Sequence, residues 1–440
     1  MTEPVDCRAQ FPTGDDAAAW RAHALNPMST GLKGSSILKI AYEIRAMQDE
    51  GHPVCNLTVG DFSQSEFSIP KALQDAVAAA YAEGQTNYPP AFGTPELRAA
   101  IVELYERELG LKYSVDSIIV GSGARPPIFA TFALVVQPGD KVLFCAPSWN
   151  NHHYLHINGA EPVKVHCGPE TDFLPTRELL EGQLDGVTLI CLNSPLNPTG
   201  TVFDEEQLAG ICDLVLEENA RREAAGERPV MVMYDQVYWM LTFGDARHVT
   251  PPGLRPAMAK YTIFVDAISK AFAATGLRVG WAVIPAPFEL PFKALVGHMG
   301  AWAPKPEQLA TAKLLRDPAA ISDFMGTFKQ DLSDRLFALH DGLQAMKANG
   351  LPADSIAPQG AIYLTGRFDV AGKTWNGKLI ETDEDVRSFL LEAAGFGVVP
   401  LAVFGPKDVV GWVRLSVGAV SLEDIADGLA RIEHALSQLG

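Results

Sequence analysis

Several things are scarce in this sequence. No stretch reaches the roughly 18 uninterrupted apolar residues that a membrane-spanning helix needs, so no membrane partner is expected. Cysteine is sparse: Cys7, Cys55, Cys145, Cys167, Cys191 and Cys212 stand apart, with no C-x-x-C pair and no zinc spacing. Three of them lie in apolar runs, which reads as buried thiols in a reducing compartment. Positive charge is the minority sign, 35 basic against 53 acidic side chains, a formal charge of −18. That balance argues against nucleic acid or an anionic membrane as the main partner. It leaves room for a small anionic ligand, because a few arginines can build a positive pocket in an acidic protein. The first ten residues carry acids and an arginine around no apolar core, so no secretory signal is expected and the cytoplasm is the expected location. There is no internal repeat and no low-complexity tract.

What is present is organised punctuation. At 440 residues the chain is too long for one ordinary core, and two or three domains are expected. A first stretch of about thirty residues lacks periodicity and reads as an arm, followed by a helix over 37–50. Thr94-Pro95-Glu96 opens a helix that Gly110 closes. From residue 117 short apolar strands (117–120, 142–145, 187–192, 230–234, 261–265, 279–284) alternate with helical segments such as 124–136 and 205–225. This rhythm predicts an α/β fold with a mainly parallel sheet covered by helices on both faces. After Pro304 it changes to long helices, short strands at 361–364 and 412–417, and a last helix opened by the capping-box pattern Ser421-Leu422-Glu423-Asp424. The expected division is 1–60 for the arm and part of a small domain, 61–304 for a large domain, and 305–440 for a smaller α+β domain.

Ligand sites in parallel sheets lie beyond the carboxyl ends of the strands, and there the polar motifs collect. Asn193-Ser194-Pro195-Leu196-Asn197-Pro198-Thr199-Gly200 follows one strand, Tyr234-Asp235-Gln236-Val237-Tyr238 another, and Ser269-Lys270 a third, with Arg278 eight residues on. Singly each has an ordinary reading: a turn, a helix cap, a surface lysine. Together with Ser269–Gly280 (S-K-A-F-A-A-T-G-L-R-V-G) and Trp412-Val413-Arg414-Leu415-Ser416, the chain resembles the class I/II aminotransferases of fold type I, which use pyridoxal phosphate (PLP). The resemblance covers residues 35 to the C-terminus. It implies a large PLP-binding domain with a seven-stranded sheet, a smaller domain, and transfer of an amino group between an α-amino acid and a 2-oxo acid.

The resemblance gives each residue a task. Lys270 is the amine that joins the cofactor aldehyde and, once displaced, serves as base and acid. Asp235 secures the proton on the pyridine nitrogen, which keeps the ring an electron sink. Asn197 and Tyr238 face the ring's phenolic oxygen; a turn asparagine and a core tyrosine are the plain alternatives. Gly123-Ala124-Arg125 opens a helix toward the phosphate, with Ser269 and Arg278 adding contacts. A dinucleotide site is the rival for that loop, but G-S-G-A-R-P lacks the third glycine. Trp149 stacks on the ring or is simply core. Tyr88 reaches the phosphate of a neighbouring subunit, which implies a homodimer. Arg414 grips the substrate α-carboxylate, helped by the backbone of Gly60. His152, His153 and His156 have metal-ligand spacing without an acidic or cysteine partner, and no metal is expected.

The chain also departs from the pattern: Ala267 replaces a common serine, Leu401 a common glycine, and Asp61-Phe62-Ser63 the usual E-P-D-F. These affect the substrate pocket. In one bacterial branch of aspartate aminotransferases the position of Arg125 is a lysine that reads the substrate's distal carboxylate. The spacing from Lys33 to Gly60 fits that branch without a gap and places Ser35 where a serine assists. Aspartate or glutamate with oxaloacetate or 2-oxoglutarate is the expected substrate set. Aromatic or aliphatic donors, a lyase or decarboxylase of the same fold, and a PLP-binding regulator are the alternatives.

Overall fold

The computed structural model describes residues 6–32, 34, 36–406 and 409–439. Seven strands form its central sheet: β1 Ile118–Ser122, β2 Lys141–Ala146, β3 Glu161–His166, β4 Val187–Asn193, β5 Met231–Asp235, β6 Thr262–Ala267 and β7 Val279–Val283. They lie in the order β1-β7-β6-β5-β4-β2-β3. Strands β2 to β6 run parallel, and β7 runs antiparallel to both β6 and β1.

Helices cover both faces, which explains why the strands read as continuous apolar runs rather than as alternation. Val232 and Tyr234 of β5 pack on one side with Leu97, Ile101, Leu208, Ile211 and Leu314. These come from α1 Pro95–Leu109, α3 Glu205–Ala225 and α5 Lys305–Leu315. Met231 and Met233 of the same strand pack on the other side with Ile128, Phe132, Phe292 and Val296. Those belong to α2 Arg125–Val135 and α4 Glu289–Met299. Thr94 caps α1 and Gly110 ends it in the left-handed region, as the sequence signals.

A second layer holds four antiparallel strands, β8 Ala353–Ser355, β9 Tyr363–Phe368, β10 Val399–Pro400 and β11 Trp412–Ser416, in the order β10-β11-β9-β8. They share a core with α6 Pro318–Ala348 and α7 Leu422–Ser437 through Leu336, Leu343, Phe368, Val413, Leu415 and Ile432. Leu57 and Phe67 enter the same core, and Cys55–Asn56 pairs with Phe396–Gly397. The capping box at Ser421 and Asp424 is formed.

Two features differ from expectation. Strand β3 has no apolar run, since Glu161, Pro162 and His166 are exposed on an edge strand whose outer side needs no burial. The arm contains the helix Gly14–Ala24, none of whose side chains is buried, so no hydrophobic stripe announces it. No helix among the described residues is long and apolar enough to cross a membrane.

Candidate active site

Strands β4, β5 and β6 end side by side at Asn193, Asp235 and Ala267. Asn193 fastens two of the loops that follow. Its Nδ2 donates to the Asp235 carbonyl at 2.8 Å and its Oδ1 accepts from the Asn197 N–H at 2.8 Å. The Asp235 carboxylate accepts from the Val237 N–H at 3.2 Å. Burial pushes its pKa up to about 6, partly offset by that hydrogen bond. A buried carboxyl that borders a cavity and has no ion-pair partner among the described residues is arranged to receive a cation.

That cavity has a volume of about 510 Å³, within the range of sites for small ligands. Of the residues singled out from sequence, Gly60, Ala124, Arg125, Trp149, Asn197, Asp235, Tyr238, Ser269, Lys270, Arg278 and Arg414 line it. The Lys270 Nζ donates to the Gly60 carbonyl at 2.6 Å. Burial pushes the lysine down to about 8; Asp61 pulls it back up, while Arg414 and Arg278 add to the fall. A substantial neutral fraction of the amine is therefore present near neutral pH, as a nucleophile requires.

At one end of the cavity, backbones approach closely. Gly123 sits at φ +82°, and a Cβ there would come 2.3 Å from the Arg278 guanidinium. A Cβ on Gly280 would come 2.4 Å from the Gly123 backbone. Arg278 is itself left-handed, and its guanidinium donates to the carbonyls of Thr275 (2.7 Å) and Ser122 (3.2 Å). Beside it α2 begins with no side-chain cap. An uncapped helix start, a fixed guanidinium and Ser269 on the same wall together suit a phosphate.

At the other end lies Arg414, 1% exposed. Its Nη1 donates to Asn197 Oδ1 at 3.2 Å and its Nη2 to the Thr58 carbonyl at 2.7 Å, while its Nε has no partner. The guanidinium lies over the Tyr363 ring at 4.7 Å and the Phe404 ring at 5.1 Å. No carboxylate among the described residues pairs with it. An unpaired buried cation costs several kcal/mol, so the arrangement awaits an anion.

An aldehyde-bearing ring with a basic nitrogen and a phosphate thus finds an amine, a carboxylate and an anion cradle in one cavity. The residues fit PLP. Trp149 is half-buried in the cavity wall, its ring 6.3 Å from Phe404.

Two predicted residues stand apart. Tyr88 is 84% exposed, set edge-on to Trp302 at 5.5 Å, and lines no part of this chain's cavity. Ser35 lies outside the described residues, as does Lys33. The histidine cluster is occupied otherwise. His152 and His153 pack ring on ring, and His156 Nε2 lies 2.6 Å from the Met28 carbonyl.

Sequence reasoning missed Asn193, Thr58 and Tyr363. Asn193 was legible as the first asparagine of its motif; Thr58 acts through its carbonyl and leaves no side-chain signal. It also missed a buried network beneath the site. Asp266 accepts from Trp239 Nε1 (2.9 Å), the Tyr105 hydroxyl (3.2 Å) and the Ala267 N–H (2.7 Å), tying the loop after β5 to the turn before Lys270.

Comparison with known proteins agrees with this geometry. The family model for "Aminotransferase class I and II" matches residues 52–432. The chain is 33% identical to an aspartate aminotransferase of Rhizobium meliloti (strain 1021) over 410 residues, covering 92% of this chain and 94% of that one. It is 29% identical to a probable aspartate/prephenate aminotransferase of Aquifex aeolicus, covering 93% and 97%. Among solved structures, the Rhizobium meliloti aspartate aminotransferase superposes with a TM-score of 0.85 at 29% identity, covering 94% of this chain and 99% of that one. The Thermus thermophilus aspartate aminotransferase with maleate superposes with a TM-score of 0.81 at 27% identity, covering 94% and 99%.

Proposed function

Because this chain belongs to the class I and II aminotransferases and is a PLP-dependent transaminase, we propose that its substrates are dicarboxylates. The amino group would pass between aspartate or glutamate and oxaloacetate or 2-oxoglutarate. The observation that carries this is a pair of cations in one cavity. Arg414 is buried without an anion, and Arg125 lines the same cavity, exposed and without an ion pair among the described residues. A monocarboxylate donor needs one of them; a dicarboxylate can use both through paired hydrogen bonds. The Thermus relative was solved with maleate, itself a dicarboxylate, which supports the reading.

When bound, PLP supplies an electron sink that makes the substrate Cα–H acidic. The chain's own groups do the rest. Lys270 would hold the aldehyde carbon and, once released, would move the proton away from the substrate Cα. Asp235 would hold the proton on the ring nitrogen, while Asn197 and Tyr238 would donate to the phenolic oxygen. Arg278, Ser269 and the opening of α2 at Gly123, Ala124 and Arg125 would hold the phosphate. Trp149 would pack against the ring, and Gly60 would present backbone to the carboxylate that Arg414 binds. Ser35 would assist at the distal carboxylate, and Tyr88 would reach the phosphate of a second copy.

The test is a half-reaction without acceptor. Aspartate and glutamate should bleach the cofactor's visible band at low concentration, with alanine and phenylalanine at least tenfold less efficient. Equal efficiency for all four donors would overturn the dicarboxylate assignment.

A further inference from the structure

Between the group assigned to the cofactor and the group assigned to the substrate stands a residue with no role so far. Tyr363 is the first residue of β9, opposite Ser416 of β11, and is 2% exposed. Its hydroxyl oxygen lies 2.8 Å from that of Tyr238. The same hydroxyl abuts Gly60, where an added Cβ would come within 2.9 Å. Its ring carries the Arg414 guanidinium at 4.7 Å. One side chain thus touches Tyr238, Gly60 and Arg414.

We propose that Tyr363 is a positioning residue with two separable parts, its hydroxyl aiming Tyr238 at the cofactor and its ring holding Arg414 for the substrate carboxylate. The proposal rests on the roles given above to Tyr238 and Arg414. The hydroxyl part follows from proton bookkeeping. Each phenol has one proton to give and two lone pairs to fill. If Tyr238 is to donate to the cofactor's phenolic oxygen, the proton in the 2.8 Å contact must come from Tyr363. A phenol that accepts one hydrogen bond becomes a stronger donor in the next. Tyr363 therefore strengthens the bond that Tyr238 makes, and this favours the ionised phenolic oxygen and lowers the proton affinity of the nitrogen joined to Lys270.

The ring part follows from the site of Arg414. A guanidinium between Tyr363 and Phe404 keeps its fork in one plane, and a desolvated cation over an aromatic face is held with real strength. The face remains if the hydroxyl alone is removed.

Two substitutions divide these parts. Tyr363→Phe removes the hydroxyl and keeps the ring. The pH midpoint of the loaded protein's visible absorbance should rise by about half a unit. The dissociation constant for maleate, which needs no turnover, should stay within about twofold. Tyr363→Leu removes both, so the midpoint should rise as in the Phe variant while maleate binding weakens by about tenfold. A Phe variant with the wild-type midpoint overturns the hydroxyl link. Equal weakening of maleate in both variants reduces Tyr363 to a packing residue. A wild-type protein with no titrating band would instead strike the cofactor assignments beneath the inference.

Discussion

The Lys270 Nζ donates to the Gly60 carbonyl at 2.6 Å, across 210 residues of sequence. This bond places the amine on the second layer's side of the cavity, with Asp61 next in the chain. Its neighbours explain why the lysine ionises near neutrality: burial and two arginines push it down to about 8, and Asp61 resists.

The first prediction concerns this amine. Only neutral lysine attacks an aldehyde, so uptake of PLP by the apoprotein should accelerate about tenfold per pH unit below 8 and level off above. Asp61→Asn should move the bend to lower pH, since a carboxylate that favours the charged form is gone. Lys270→Ala should give no covalent uptake at any pH. Stopped-flow absorbance measures all three, and a rate flat from pH 6 to 9 contradicts the assignment.

The second concerns Asp235. Its pKa is about 6 in the folded apoprotein, above the usual 3.8 of an unfolded aspartate. Between those values the folded state binds more protons, so apoprotein stability should fall as pH rises from about 4 to 6. The loss is at most about 3 kcal/mol, because the carboxylate opens on a water-accessible cavity. Asp235→Asn should remove this dependence, and bound PLP should diminish it by supplying a cation. Urea unfolding of the apoprotein at pH 4.5 and 6.5, for wild type and variant, checks the sign.

These groups were legible to different degrees, for physical reasons. Strand β4 was visible because a strand buried on both faces needs an uninterrupted apolar run, and the Asn193–Gly200 motif begins where that run ends. The edge strand β3 was not, since charge and proline are tolerated there. Tyr363 was hidden by its surroundings: a tyrosine in Ala361-Ile362-Tyr363-Leu364 looks like core, and it is core, with one polar atom turned to the site. The Asp266 network was equally silent, because Tyr105, Trp239 and Trp281 are distant in sequence and read individually as hydrophobic.

The third prediction concerns Tyr88. A tyrosine 84% exposed at a distance from its own cavity can serve a cofactor only in another chain. In a mixed dimer of Lys270→Ala and Tyr88→Ala subunits, one site carries both defects and the other neither. Statistical mixing after refolding together should therefore restore about a quarter of wild-type activity, well above either parent. No gain on mixing would place Tyr88 outside the site.

The last prediction separates two uses of Arg125. As the first residue of α2 it could lend charge to the phosphate, or it could read the substrate's second carboxylate. The structure offers both, since Arg125 borders the main cavity and also a smaller chamber of about 40 Å³, both of them lined by Trp149 as well. The phosphate end already has Arg278, held by two carbonyls, so a second arginine adds little there. The other cations that line the cavity, Lys270, Arg278 and Arg414, already have tasks at the cofactor and the α-carboxylate. Arg125→Ala should then lower kcat/KM for aspartate and glutamate by about 10- to 100-fold, the worth of one charged hydrogen-bonded pair. Alanine and phenylalanine, with no second charge to lose, should change by less than about threefold. Arg125→Lys should recover part of the dicarboxylate preference, because a point charge replaces the fork. A uniform loss across all donors, accompanied by weaker PLP binding, would assign Arg125 to the phosphate and leave dicarboxylate recognition to another residue.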